Sequence, residues 1–375
     1  MIDILLVGNI HNIHIKKFSE YLNKANEGDI HVDYFHLDYE FTSEINNVIY
    51  PKRNFLNFLY NISGFRNFLF MLDLCLSFMK VKKKYDLVNL HYLTIHSFVL
   101  LPLYRIIGNK VMISPWGSDV NRINGLRKFL YQKIYNKADF ISVPAIEFRK
   151  TVQKKFRVPD EKIVDVGFGS EMIDFILSRK HISKQKSKNI LGIKDSYVIA
   201  CGYNRSAAQN HSIMIDSIIE NKDILPKNSV LLFLLTYGES YDLTRQFEML
   251  DNNAIPFMVF DKFIDNEKLF DVQNATDLFI HIQDTDANSA FMQEFLLCDA
   301  LVLNGAWLRY THLEKEGMPY FQVEQKTSES LSFALKSILS KQININTTYA
   351  KVVIAGFGWS SQIKRWYAFF RRIKL

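Results

Sequence analysis

Three cysteines in 375 residues, Cys75, Cys201 and Cys298, stand far apart and inside apolar runs. That spacing excludes a paired zinc or redox motif and reads as buried free thiols in a reducing compartment. No apolar stretch reaches the roughly 18 to 20 residues that cross a bilayer. The longest are Phe98–Tyr104, Val230–Leu235 and the run near Phe68–Met79, which Asp73 interrupts. Asp3 directly before Ile4-Leu5-Leu6-Val7 leaves no room for a basic leader. A cytoplasmic protein, soluble or peripheral on the membrane, is expected.

Familiar chemical signatures are missing as well. No G-x-x-x-x-G-K-[ST] occurs, which argues against a P-loop NTPase. Gly167/Gly169 and Gly356/Gly358 are not completed to G-x-G-x-x-G, and the first strand ends at a lone Gly8. A dinucleotide-dependent dehydrogenase or epimerase loses support accordingly. No tyrosine is followed by lysine four positions on, and G-x-S-x-G and H-E-x-x-H are absent.

Apolar residues make up 48% and charged residues 23%, a globular composition whose length suits two domains. The formal charge is +7, unevenly placed. Residues 1–180 carry 25 Lys+Arg and 18 Asp+Glu, residues 181–350 carry 15 and 21, and 351–375 carry six and none. One face is therefore expected to meet something anionic. A nucleic-acid partner is not expected, because no binding module accompanies the charge.

Short β-branched runs alternate with helical patterns, which predicts βαβ units and parallel sheets. Predicted strands in the first half are Ile4–Gly8, His31–Leu37, Asp86–His91, Val111–Pro115, Asp139–Val143 and Ile163–Val166. Helices are predicted at Ile13–Asn26, Asn54–Lys80, Thr94–Ile107, Leu126–Asn136 and Glu147–Lys154. The pattern restarts with Tyr197–Cys201, Val230–Tyr237, Pro256–Phe260, Asp277–His281, Leu301–Asn304 and Phe321–Val323. The polar stretch Arg179–Lys188 between the two series reads as a linker. Two doubly wound domains result, 1–180 and 181–350, followed by a basic, aromatic helix over 351–375. Such a pair offers a central cleft, with chemical residues just after strands.

The segment Asp284-Thr285-Asp286-Ala287-Asn288-Ser289-Ala290-Phe291-Met292-Gln293-Glu294 follows a strand and opens a helix near Asn288 or Ser289. Asp286 and Glu294 stand eight residues apart, about 12 Å at the helical rise. Free amides at the helix start between them suit a diphosphate, and the acidic groups at either end suit sugar hydroxyls. Alternatively, Asp286 or Ser289 simply caps the helix and Glu294 is solvated. The segment resembles the E-x7-E element of retaining glycosyltransferase family 4, with Asp for the first Glu. That resemblance implies a GT-B fold of two Rossmann-like domains, with Asp286 on the donor sugar and Glu294 on the ribose.

A second loop, Cys201-Gly202-Tyr203-Asn204-Arg205-Ser206-Ala207-Ala208-Gln209-Asn210-His211, follows the first strand of the second half. Gly202 permits a tight turn and Arg205 offers a fork for phosphate oxygens. Family 4 carries an Arg here and a Lys five residues on; position 210 is Asn, so neutralisation rests more on Arg205. This loop, and Leu235-Thr236-Tyr237-Gly238-Glu239 after the next strand, is more similar to the enterobacterial fucosamine transferases, which invert. The resemblance places Asn204, Arg205, Asn210, Tyr237, Gly238, Asn288, Ser289 and Glu294 on the donor. Retention and inversion both remain open.

In the first half, Ser114-Pro115-Trp116-Gly117-Ser118-Asp119 ends a strand. Asp119 reads equally as general base for the acceptor hydroxyl, sugar ligand or N-cap. Asn9 and His11 after the first strand, and His91 after Asp86–Leu90, point to the same acceptor edge, although a lone histidine there is often structural. Trp307 reads as core, while Tyr310 is open between stacking on a sugar and filling the core.

The expected activity is transfer of a hexosyl or deoxyhexosyl group from a nucleoside diphosphate to a glycan or polyprenyl-linked acceptor in bacterial surface polysaccharide synthesis. No metal and no other cofactor is expected. The aromatic and basic segments near 50–84 and 359–375 suit the inner face of the cell membrane, or core packing. A non-catalytic peripheral protein that keeps the fold is the alternative.

Overall fold

In the computed structural model the described residues are 1–39, 45–62, 64–143, 146–238, 241–286, 288–340 and 345–373, without the side chains of Ile146 and Glu147. The chain forms two compact units, Met1–Gly169 with Trp359–Leu375, and Ser170–Gly358.

The first unit is a parallel sheet of β1 (Ile2–Gly8), β2 (Ile30–His36), β3 (Val48–Ile49), β4 (Tyr85–His91), β5 (Gly108–Ser114), β6 (Phe140–Ser142) and β7 (Ile163–Val164). The order is β3-β2-β1-β4-β5-β6-β7. Its helices are α1 (Ile13–Ala25), α2 (Phe65–Met79), α3 (Ile95–Ile107), α4 (Ser118–Asn121), α5 (Gly125–Lys137) and α6 (Ile146–Phe156), and the chain returns to it as the last helix. Strands such as Val111–Ile113 are apolar on both faces because helices cover both sides of the sheet. The helix predicted over Asn54–Lys80 is broken, since Gly64 at φ +81° starts α2 and a short 3₁₀ turn, Asn57–Asn61, precedes it.

The second unit is a parallel sheet ordered β10-β9-β8-β11-β12-β13. Its strands are β8 (Tyr197–Cys201), β9 (Ser229–Leu234), β10 (Phe257–Phe260), β11 (Leu278–His281), β12 (Leu301–Gly305) and β13 (Phe321–Val323). Helices α7 (Glu171–Ser178), α8 (Lys184–Ile190), α9 (His211–Glu220), α10 (Thr244–Asn252), α11 (Asn266–Ala275), α12 (Ala290–Leu297), α13 (Ser328–Ser340) and α14 (Thr348–Ala355) complete it. Within each sheet the strand order reverses once, between β1 and β4 and between β8 and β11. Loops leaving those strands define the crevice where ligands of such sheets bind.

The unit boundary differs from the expected 180/181. Residues 179–188 are not a free linker: Ser183 caps α8, Ser187 Oγ donates to Asp271 Oδ1 (2.8 Å), and Lys188 Nζ meets Asp277 Oδ2 (2.6 Å). The last helix, α15 (Trp359–Ile373), packs against α1 in the first unit. Trp366 Nε1 donates to Gly167 O (2.8 Å), Gly167 N to Gln362 Oε1 (3.1 Å), and Trp359, Trp366 and Phe370 are buried. Its aromatics therefore fill a core. No helix among the described residues is long and apolar enough to cross a membrane.

Candidate functional site

The crevice of the second unit is built on β8, β9, β11 and β12. Gly202 follows β8 at φ +64°, where a Cβ would come within 2.9 Å of His211 Nε2 and 3.0 Å of Gln209 Oε1. The turn that follows is tied internally, with Ser206 N donating to Asn204 Oδ1 (2.8 Å). Arg205 N donates to Tyr237 O (2.8 Å), stitching this loop to the one after β9. Gly238 completes the stitch: at φ +106° its Cβ would lie 3.0 Å from Ser206 N and 3.2 Å from Arg205 N. The Arg205 guanidinium carries no ion pair among the described residues.

Asn210 adopts a left-handed φ of 61° and turns its amide across the crevice. Nδ2 donates to Ile282 O (2.8 Å) and Asp284 Oδ1 (3.0 Å), and Asp284 pairs with Lys326 Nζ (2.6 Å). The residue is thus a bridge between the β8 and β11 loops. His211, one position later, is buried, and burial pushes its imidazole down to about 4.

Asp286 is the centre of the β11 side. Its Oδ2 accepts from Gln283 Nε2 (2.6 Å) and Tyr310 Oη (2.9 Å), and its Oδ1 from Asn288 N (3.0 Å). His281 Nε2 lies 3.6 Å from the same Oδ2. The other ring nitrogen, Nδ1, is 2.8 Å from Asn304 Oδ1, while Asn304 Nδ2 donates to Gly305 O and Leu308 O. Asn304 therefore presents an acceptor to a proton on Nδ1, and burial lowers the ring's pKa against the opposing charge of Asp286. Nε2 is buried without a hydrogen-bond partner, 3.6 Å from that carboxylate oxygen.

Gln283 extends the group. Its Oε1 accepts from Tyr203 Oη (2.8 Å) and Gln209 Nε2 (2.8 Å), and its carbonyl accepts from Trp307 Nε1 (2.8 Å). Tyr203 stacks on Phe291 at 4.7 Å between centroids. Ser289 caps α12 by accepting from Met292 N (3.2 Å), and Asn288 Oδ1 accepts from Gln293 Nε2 (2.7 Å). The charges of Asp286 and Glu294 both bear on Tyr237 and raise its hydroxyl pKa, with burial the larger cause. Ala287 and Glu239 lie outside the described residues.

Glu294 sits inside the unit, where Oε1 accepts from Ser170 Oγ (3.1 Å) and Oε2 from Gln273 Nε2 (2.7 Å). Burial pushes its carboxyl up to about 7 against those two bonds. Neither oxygen is solvated. α12 begins at Ala290, so this side chain stands in the second turn and shares no printed partner with Asp286.

At the carboxyl edge of the first sheet, Asp119 is a loop clamp. Its oxygens accept from Trp116 N (2.9 Å), Gly117 N (3.1 Å) and Leu93 N (3.0 Å), and it is 2% exposed. Burial raises its pKa against those amides. His91 is buried as well, 3.0 Å from Asn89 Nδ2 through Nε2, and its imidazole is pushed down to about 3. Asn9 is exposed and accepts from His11 N (3.0 Å); the His11 ring meets His36 edge-on at 5.0 Å. Of the residues expected at this edge, Asn9 and His11 are therefore nearer to solvent than His91 and Asp119.

Sequence reasoning overlooked Tyr203, Gln209, His281 and Gln283, and also Tyr92 and His14, whose rings lie 5.3 and 5.2 Å from Trp116. His281 ends β11 and Gln283 follows it just ahead of Asp286, an adjacency that would have found both. Among the described residues no group of three or more His, Cys, Asp or Glu side chains is placed to hold a metal ion.

No protein-family model and no curated protein matches the sequence. Solved structures do match over the full length. Sucrose-phosphate synthase from Thermosynechococcus elongatus aligns with a TM-score of 0.67 at 14% identity, covering 100% of this chain and 99% of that one. HepE from Anabaena, solved with UDP, gives 0.67 at 12% identity, covering 99% and 100%. A UDP-forming α,α-trehalose-phosphate synthase from Burkholderia xenovorans gives 0.62 at 12%, with full coverage of both. The chain has the GT-B fold. In the GT-B fold, as in other open parallel sheets, the loops at the strand reversal are where a ligand is expected; Arg205, Gln283 and Asp286 stand on those loops, and Tyr237 on the loop after β9 that is bonded to the first of them.

Proposed function

We propose that this GT-B chain is a glycosyltransferase that moves a sugar from a nucleoside diphosphate to a glycan or lipid-linked acceptor. The observation that carries this reading is the Asp286 group at the reversal of the second sheet. Gln283 and Tyr310 hold its carboxylate in the loop after β11, where that group can accept from a sugar hydroxyl. Arg205, with no ion pair among the described residues, stands on the neighbouring loop after β8. HepE, which shares the fold, has been solved with UDP and with UDP and glucose.

In this reading Arg205 and the first-turn amides of α12 stabilise the departing diphosphate, the largest contribution to rate. Asp286 orients the sugar, and Tyr237 borders the nucleotide. The family 4 type of donor site assigns Glu294 to the ribose, whose hydroxyl would replace Ser170 Oγ on Oε1. No divalent metal is required when the diphosphate is neutralised this way. The acceptor is a hexosyl- or deoxyhexosyl-receiving glycan of bacterial surface polysaccharide assembly, met at the inner face of the cell membrane.

A panel of uridine, guanosine and deoxythymidine diphosphate sugars tests the proposal, with binding read by calorimetry and slow hydrolysis by released nucleotide. One donor class is expected to bind and hydrolyse, and the anomer of the released sugar, read by NMR, separates retention from inversion. Absence of binding by every donor would leave a non-catalytic protein that kept the fold.

A further inference from the structure

Helices α2, α3 and α5 lie side by side on one face of the first sheet. Each runs antiparallel to the strands, so their N-terminal turns share the carboxyl edge of that sheet. Those turns expose Phe65 and Phe68 on α2, Ile95 and Val99 on α3, and Leu126 and Phe129 on α5, each 43% to 71% accessible. The Phe65 and Phe68 rings are 5.7 Å apart. Single exposed apolar residues are ordinary on a soluble protein; six on adjacent helix ends are not.

Charge on this layer is of one sign. The three helices hold six Lys or Arg residues and a single carboxylate, Asp73. Asp73 is fully buried, accepting from Tyr39, Tyr60 and Asn54. Arg66, Arg127 and Lys128 flank the exposed rings, and Lys133 Nζ lies 5.1 Å from the centre of the Phe129 ring. A second copy of the chain would set cations against cations. A nucleic acid would stack on aromatics but gains little from Leu126, Ile95 and Val99. An anionic bilayer takes both, with phosphates on the cations and the acyl boundary on the apolar side chains.

We infer that the N-terminal ends of α2, α3 and α5 form the docking surface of this chain on anionic lipid. Phe65, Phe68, Leu126 and Phe129 enter the headgroup boundary, while Arg66, Arg127 and Lys128 hold phosphates. The loops after β4 and β5, with Tyr92 and Trp116, share that edge of the sheet and so come close to a lipid-linked acceptor. This builds on the membrane-side part of the proposed function, yet docking is measured without turnover.

The test is flotation of the full chain with vesicles of phosphatidylcholine alone and of phosphatidylcholine with phosphatidylglycerol. Binding is expected only to the anionic vesicles and is expected to weaken as salt rises. F68E/F129E and, separately, R127E/K128E are expected to reduce it by about tenfold or more, with unchanged circular dichroism and nucleoside diphosphate binding. Equal binding to both vesicle types, or unchanged binding by both double variants, overturns the inference. So does a dimer in analytical ultracentrifugation that the same substitutions dissolve, or RNA binding that they abolish. Vesicle binding without any donor binding would sink the transferase reading alone.

Discussion

Glu294 and Asp286 are eight residues apart and live in different chemistry. Burial raises the Glu294 carboxyl to about 7, so the native state keeps a proton that the unfolded chain gives up near 4.5. Stability from this group is full below about pH 4.5, falls as pH rises to about 7, and is level above, a loss of up to about 3 kcal/mol. E294Q removes the titration. Urea unfolding of both proteins at pH 5 and pH 8 should therefore show E294Q gaining on the native sequence at pH 8; a pH-independent difference would refute the buried, protonated Glu294. Asp286 predicts a different outcome. D286N keeps the shape but weakens the acceptor, and a fall of about a hundredfold in turnover is expected with an unchanged melting curve. The pair was legible in the sequence because eight residues across a strand-to-helix turn is a local pattern. The partners were not: Gln273 and Ser170 reach Glu294 from 21 and 124 residues away, and Tyr310 reaches Asp286 from 24. Only folding brings those together.

Strands were legible for a related reason. Apolar runs such as Val230–Leu234, buried throughout, can only be central strands of a covered sheet. Val48–Ile49 is two residues long, too short for periodicity to show, and α8 is polar enough to pass for a linker. The tail helix was ambiguous because aromatics with cations suit both a membrane and a core. Trp366 settles its packing in the first unit: it is fully buried, bonded to Gly167 O and in ring contact with Phe18 and Phe370. W366A is expected to cost about 3 to 5 kcal/mol, read as a lowered urea midpoint. At the other element junction, G238A places a Cβ 3.0 Å from Ser206 N at φ +106°. About 1 to 3 kcal/mol of strain is expected there. Its readout is weaker nucleoside diphosphate binding with the first unit's stability intact, because the strain falls on the loop that carries Arg205.

Each unit has its own cores and its own charge. The first holds 28 basic and 16 acidic residues, the second 18 and 23. Under the proposed function, donor and membrane would meet units of opposite net charge, and the net acidic unit would receive the diphosphate through local donors. Two consequences can be measured together. Calorimetry of the full chain should resolve two unfolding transitions, since the apolar clusters of one unit share no member with those of the other. A nucleoside diphosphate at about a hundred times its Kd should stabilise one of them by about 2.7 kcal/mol and leave the other in place. The transition that moves should be the one lowered by L232A in β9, whose side chain is buried in the second unit, and not the one lowered by W366A. R205A should abolish the shift without moving either transition in the absence of ligand. If the nucleotide raised the W366A-sensitive transition instead, the donor would belong to the first unit and the assignment of the Arg205 and Asp286 loops would fail.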